Sequence, residues 1–295
     1  MEIAGAFACS HAGLFVGRRE LAPADQCAAV YDAFRAMGDA IRALEPDAIV
    51  LVATDHARVY PLTCVPQYVI GVSPTAEGIG DAQVPTRMVP VHQAFAQAML
   101  SGMLDGGVDL AFSEAMRIDH SFVVPLMLAF GDESPPIVPI HQNCNVPPLP
   151  PFARSYTVGR ALRTALQAGP AGRVVVIGTG GLSHWVGSEA EQRFMRRPAG
   201  TRIRETATLT LPDTGLVNTT FDRHFLELIC AGRAQTFVAE WTPERLYDEA
   251  GNGAQELRNW LLVAGAADDA PASVLLYEAV SEWLTGTAIV QFSFR

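Results

Sequence analysis

The apolar and polar positions of this chain fall into short blocks whose period changes from one to the next. After an opening apolar stretch, Ile3 to Ala8, the residues Val30, Phe34, Met37, Ile41 and Leu44 recur at alternating steps of four and three. That spacing lays them along one face of a helix. The helix should stop at Glu45-Pro46, because proline cannot continue it. The uninterrupted apolar run AIVLVA (48–53) follows, as in a strand covered on both sides, and Thr54, Asp55 and His56 come directly after it.

The same alternation continues along the chain. A helix is expected near 89–104, a short strand VDLAFS from Val108, an apolar helix after Asp119, and a strand IVPIH from Ile137. A helix over 154–166 then leads into the buried strand RVVVI (173–177) and the glycine turn GTGGLSH. The last third reads as helices over 221–231, 243–249 and 255–264, closed by a strand pair at 273–277 and 287–294. This grammar predicts an α/β fold: a single domain, 1–295, with a mixed central sheet flanked by helices on both faces. In such sheets ligand groups gather just beyond the strand ends. The proline-rich VPPLPPF (146–152) reads as a rigid connection rather than a domain linker, since periodic segments resume on each side.

Composition narrows the function. With 31 acidic against 21 basic residues the formal charge is -10, which repels a phosphate backbone, so nucleic acid is not an expected partner. No apolar run is long enough for a membrane span and no secretory leader is evident, so no membrane partner and a cytoplasmic location are expected. The five cysteines are scattered without a C-x-x-C pair, and each reads as a small buried hydrophobe.

Candidate chemistry lies with the histidines. Four of the seven sit where a strand has just ended or a turn begins: His11 in CSHAG, His56 in ATDHA, His120 in RIDHS and His184 in GGLSH. Asp55 and Asp119 precede two of them and are candidates to orient an imidazole, or alternatively to cap a following helix. Two neutral imidazoles and one carboxylate form the facial triad of oxygen-activating iron proteins. Spacing alone does not choose the carboxylate. Glu256, opening an apolar helix after a Gly-x-Gly turn, competes with Glu249.

Taken in order, Ser10-His11, Asp55-His56, IDHSFVVPL (118–126), GTGGLSH (178–184) and AGNGAQELRNW (250–260) resemble the class III extradiol ring-cleavage dioxygenase superfamily. That group contains the protocatechuate 4,5-dioxygenase β subunit and 2,3-dihydroxyphenylpropionate 1,2-dioxygenase. The resemblance spans nearly the whole chain, with smaller matches at VPTR from Val84, at Asn143 and at FDRHFLELICAG from Phe221. It implies His11, His56 and Glu256 as ligands of Fe(II), and His184 and His120 as the catalytic acid and base residues. The family usually has glycine after the second DH, where this chain has Ser121. The implied reaction is extradiol cleavage of a catechol with O2, inserting both oxygen atoms and giving a yellow muconic semialdehyde-type product. An aminophenol substrate, or a metal-dependent hydrolase or lyase reaction on the same scaffold, is the alternative.

The expected partners are a small aromatic diol and O2, with further copies of the chain as a homo-oligomer. The C-terminal YEAVSEWLTGTAIVQF is similar to the dihydroxyphenylpropionate enzymes, whereas PQYVIG is closer to the protocatechuate β subunits. Membership of the latter group would bring a separate small α subunit, of which this chain contains no counterpart. His141, Asn143 and Ser183 are candidate substrate contacts. Arg58, Arg87 and Arg117 could pair with a substrate carboxylate, though each also reads as a surface or structural arginine. His92 and His224 read as surface groups on polar helix faces.

Overall fold

The computed structural model describes residues 1–185 and 217–294. In chain order it runs β1 (Glu2–Cys9), α1 (Leu14–Gly17), α2 (Ala24–Ala43), β2 (Ala48–Ala53), β3 (Tyr68–Gly71), β4 (Thr75–Gly78), β5 (Arg87–Pro90) and α3 (Gln93–Asp105). Next come β6 (Ala111–Ser113), β7 (Arg117–Ile118), α4 (His120–Phe130), β8 (Ile137–Gln142), α5 (Phe152–Ala168) and β9 (Arg173–Thr179). The described chain closes with α6 (Thr219–Cys230), α7 (Ala234–Glu240), α8 (Pro243–Ala250), α9 (Leu257–Ala266), β10 (Ala272–Val280) and β11 (Thr285–Phe292).

Eight strands form one mixed sheet in the order β10-β11-β1-β9-β2-β8-β3-β6. Its centre, β1-β9-β2-β8, is parallel, while β11 joins β1, and β3 joins β8, in antiparallel pairing. Every residue of β2 is buried, as its unbroken apolar sequence requires of a strand covered on both sides. Helices α3, α5 and α9 pack together, with α9 lying on β9 and β1, and α2 pairs with α4, which rests on β2 and β9. All ten residues of α9 are buried, including Arg258 and Trp260. No helix of the described residues is long and apolar enough to cross a membrane.

The alternating blocks therefore become the expected mixed α/β sheet, with local differences. The expected helix at 89–104 begins only at Gln93, because 87–90 pair with β4 and His92 caps the helix, its Nδ1 accepting the Phe95 N–H at 3.3 Å. His92 is thus a half-buried cap stacked on Phe95, not a surface group on the helix face. The strand expected from Val108 shrinks to 111–113, since the Val108 N–H is spent on the Met103 carbonyl at the end of α3. The small second sheet, β5-β4-β7, has strands of two to four residues, too short to show a period.

Candidate active site

Because β1, β9 and β2 are adjacent and parallel, their carboxyl ends open on one edge of the sheet. His11 lies just beyond β1, His56 just beyond β2, and the 180–184 turn just beyond β9. This is where a parallel sheet places ligand groups. Glu256 reaches the same edge from the short 3-10 turn Gly253–Glu256 that leads into α9. Glycine at 180 permits that approach: a Cβ there would stand 2.8 Å from both the Cβ and the carbonyl oxygen of Glu256.

The result is a compact donor set. His11 Nε2 lies 3.2 Å from Glu256 Oε2, and His56 Nε2 lies 3.0 Å from Oε1. The opposite nitrogen of each ring is held from behind. The Thr179 hydroxyl donates to the Ser121 carbonyl (3.0 Å), so at 2.9 Å it must accept the Nδ1–H of His11. Asp119 accepts both the backbone N–H of His56 (2.9 Å) and its Nδ1–H (2.8 Å). Carboxylate and hydroxyl partners of this kind fix the tautomer that leaves Nε2 for a metal.

Burial disfavours charge on all three groups, and their neighbours decide the outcome. Burial holds the His11 pKa below its ordinary value, keeping the ring neutral. For His56 burial also acts downward, but Asp119 and then Glu256 outweigh it and raise the pKa well above 6.5. Burial would raise the Glu256 pKa, yet His11 and His56 hold it well below the usual carboxylate range. Glu256 is therefore an anion at neutral pH.

A metal ion fits these residues. His11 Nε2 and Glu256 Oε1 are buried atoms without a hydrogen-bond partner, which is costly unless a ligand satisfies them. Ligands bonded at about 2.1 Å and set at right angles stand about 3 Å apart, matching the spacing between the Nε2 atoms and the carboxylate. Ring nitrogens of His11, His56 and His120 also lie within 4.8 Å of one another, as do donor atoms of Asp81, Asp119 and His120. In the latter group the donors already serve one another or His56: His120 Nδ1 donates to Asp81 Oδ2 at 2.6 Å, and Asp119 holds His56. Glu256 is the carboxylate with a buried oxygen, Oε1, that accepts no hydrogen bond.

His120 and His184 complete the same cavity, a space of about 1000 Å³ that all four imidazoles and Glu256 line. Both are again held through Nδ1. Asp81 accepts the backbone N–H of His120 (2.8 Å) as well as its Nδ1–H, and the Leu182 carbonyl accepts the Nδ1–H of His184 (3.0 Å). His184 Nε2 lies 3.9 Å from Glu256 Oε2, and the His120 ring centroid lies 4.2 Å from that of His56. Gly253 makes room for His184, since a Cβ there would come within 2.1 Å of its ring.

The remaining candidates separate from this cluster. Glu249 is exposed and paired with Arg245 (2.8 Å), so Glu256 is the acid that meets the histidines. Asp55 does not hold His56; it accepts the N–H groups of Arg58, Val59 and Tyr60 and so pins the loop after His56. Asp119 caps α4 through the Ser121 N–H while it holds His56. The Ser121 hydroxyl, where the family usually has glycine, lies 2.6 Å from Asp119 Oδ1 and 2.5 Å from the Thr54 carbonyl, so the departure adds a tie to Asp119.

None of the three expected substrate contacts lines the cavity. Asn143 spends its amide on Val146, Asn145 and Gln67, shaping a loop. Ser183 is locked between Asp222, Asn218 and Gly286. His141 is buried against the Tyr60 ring, and burial lowers its pKa to about 4. The residues that do line the cavity near them are Asn145 and Val146 to Leu149, and Asn145 follows Asn143 by two positions. Asp81, the partner of His120, carried no sequence signal of its own beyond lying three residues before the VPTR match. Arg87 is tied to the carbonyls of Gly131 and Asp132, and Arg117 to Glu77, whereas Arg58 stands at the cavity. His224 is exposed, as its polar surroundings suggested.

A parallel sheet edge bearing imidazoles and a carboxylate around one cavity defines a metal-dependent active site. The chain belongs to the class III extradiol ring-cleavage dioxygenases: residues 5–292 match the family described as the catalytic LigB subunit of aromatic ring-opening dioxygenase. It is accordingly an aromatic ring-opening dioxygenase, an oxidoreductase. Relatives named 2,3-dihydroxyphenylpropionate/2,3-dihydroxicinnamic acid 1,2-dioxygenase include one from Photorhabdus laumondii, 28% identical, covering 88% of this chain and 89% of its own. Another, from Mycolicibacterium vanbaalenii, is 31% identical and covers 87% and 88% of the two chains. One from Cupriavidus necator is 30% identical and covers 85% and 86%. The crystal structure of an uncharacterised protein of Escherichia coli K12 superposes with a TM-score of 0.60 over 98% of this chain and 99% of that one, at 17% identity, and so shares its fold.

Proposed function

We propose that this chain, as one catalytic domain, cleaves the ring of a catechol beside its diol, using Fe(II) held by His11, His56 and Glu256, and inserts both atoms of O2. The observation that carries this reading is the set of four imidazoles, each tied through Nδ1 and all lining one cavity around Glu256. Two imidazoles and a carboxylate suit Fe(II) and leave open positions on the ion; binding would displace the proton that Asp119 and Glu256 favour on His56 in the metal-free site. When bound, the ion supplies a place where diol oxygens and dioxygen meet and share electrons. The relatives' printed names, which specify 2,3-dihydroxyphenyl acids, support a catecholic substrate.

The two further histidines then handle protons. His184, with its Nδ1–H committed to the Leu182 carbonyl, can take a hydroxyl proton from the catechol on Nε2. His120 can deliver a proton from Nε2 when the ring opens, and the Asp81 carboxylate behind Nδ1 compensates the charge the ring carries while it holds that proton. Trp185, Trp283 and the apolar segment Val146 to Leu149 give the cavity apolar wall for the ring. The product is a muconic semialdehyde-type compound. We place the enzyme in the cytoplasm, acting as a homo-oligomer, and a dependence on a separate small α subunit would show as activity gained when one is added.

The test is anaerobic reconstitution with Fe(II), addition of a panel of catechols and aminophenols, then admission of oxygen. A yellow product with a catechol is expected. An iron-loaded protein that turns over no member of the panel, or a zinc-loaded protein active without oxygen, overturns the proposal.

A further inference from the structure

Arg58 is the sole Arg or Lys among the described residues that line the cavity. Its backbone is fixed two residues beyond His56. Ala57 turns the chain with a left-handed φ of 55°, and Asp55 accepts the N–H groups of residues 58, 59 and 60. Among the described residues its guanidinium has no carboxylate, carbonyl or ring partner, unlike those of Arg87 and Arg117. The Arg58 side chain is exposed, and an arginine in a cavity wall with its five donors uncommitted is suited to bind a planar anion through two parallel hydrogen bonds.

We infer that Arg58 is the residue that selects a catechol whose ring substituent ends in a carboxylate. This rests on the catechol reading above and deepens it. The surroundings fit such a substituent along its length. Loop 55–67 is stitched to loop 143–148 by hydrogen bonds from Asn145 Nδ2 to the Asp55 carbonyl (3.2 Å) and from Gln67 Nε2 to the Pro148 carbonyl (3.0 Å). The stitching brings Val146 to Leu149 beside the loop that carries Arg58 and Leu62, all of them cavity residues. A short aliphatic spacer can lie on that apolar surface with its carboxylate at Arg58. Elsewhere the same cavity carries Glu244 and Asp248 of α8, which repel an anion. The negative end of the substrate therefore has one favourable place, and it fixes which way the diol faces.

The test compares the protein with R58Q and R58K. The first readout is the ratio of kcat/KM for 3-(2,3-dihydroxyphenyl)propionate to that for the neutral 3-methylcatechol. Loss of a charge-assisted pair at an exposed arginine should lower this ratio by roughly 3- to 10-fold in R58Q, chiefly through KM. R58K, which keeps the charge and loses the fork, should fall between. Added salt should lower the ratio for the unaltered protein. The second readout needs neither iron nor turnover: binding of 3-phenylpropionate, which has no diol, followed by the fluorescence of Trp185 and Trp283, should weaken by a similar factor in R58Q. Equal loss on acid and neutral catechols, or preference for an ammonium-bearing catechol over the acid, overturns the inference. If no catechol is turned over, the catechol reading fails by itself, and the phenylpropionate titration still decides the role of Arg58: weakened binding in R58Q supports it and unchanged binding overturns it.

Discussion

Asp119 holds His56 twice, taking its backbone N–H at 2.9 Å and its ring Nδ1–H at 2.8 Å with the same oxygen. Its other oxygen receives the Ser121 N–H. One carboxylate thus orients the ring of His56 and starts α4. In D119N an amide nitrogen must face either donors from His56 or the donor from Ser121, so one set is lost. Metal affinity should fall 10- to 100-fold, the usual effect of removing such a partner, while the loss of cap strength costs only about 1 kcal/mol. A chelator-competition titration checks this; affinity within twofold of the parent would refute it.

Glu256 should report on the metal through stability as well as through binding. A ligand that binds only the folded state adds about 2.7 kcal/mol at a hundredfold excess over its Kd, which is a rise of roughly 5 °C in Tm for a chain of this size. Fe(II) added anaerobically should produce that rise in the parent and in H184A, and most of it should be absent in E256Q and H11A. H184A should also lose turnover. Equal rises in all four proteins would break the division between ligands and proton carriers.

Two glycines should separate the same roles by sterics alone. G180A pushes a Cβ to 2.8 Å from Glu256 and should lower metal affinity; G253A drives a Cβ to 2.1 Å from the His184 ring and should leave metal bound while kcat falls at least tenfold. Metal content measured beside kcat distinguishes them. Matching defects in both would argue that each simply unsettles the fold.

His141 sets an acid limit. Buried and uncharged, with its pKa lowered to about 4, it binds a proton more readily in the unfolded chain, whose imidazole titrates near 6.5. The stability it contributes is complete above pH 6.5 and is lost as pH falls toward 4, by an amount on the order of 3 kcal/mol. Denaturant unfolding of the metal-free protein at steps across that window should show the slope, and H141Q should flatten it. A slope unchanged in H141Q would assign acid sensitivity to other groups.

Much of this site can be read from sequence because its donors follow strand ends, where composition changes abruptly from apolar to polar. His11, His56, His120 and His184 all carried that mark. Partners behind the rings did not, because adjacency in sequence misleads at a crossover: Asp55 precedes His56 yet serves the loop backbone, whereas Asp119 serves His56 from across the sheet edge. Asp81 serves His120 from a loop with no periodic signature. The short strands of the second sheet were likewise invisible, being below the length at which a period of two can be counted. Asn143 and Ser183 misled for a related reason. They sit beside cavity residues and hold the loops in shape, so their proximity to the site is structural.

The convergence of His11, His56 and Glu256 also orders events in the life of the chain. Two of these donors come from its first quarter and the third from a turn near its end, and they meet only when β1, β9 and β2 lie side by side with α9 docked upon them. A nascent chain that has emitted only its first half has no carboxylate at 256 to close the ring of donors. On the proposed reading, metal capture follows the completion of the scaffold, with the choice among metal ions made by a preformed pocket rather than by a flexible polypeptide.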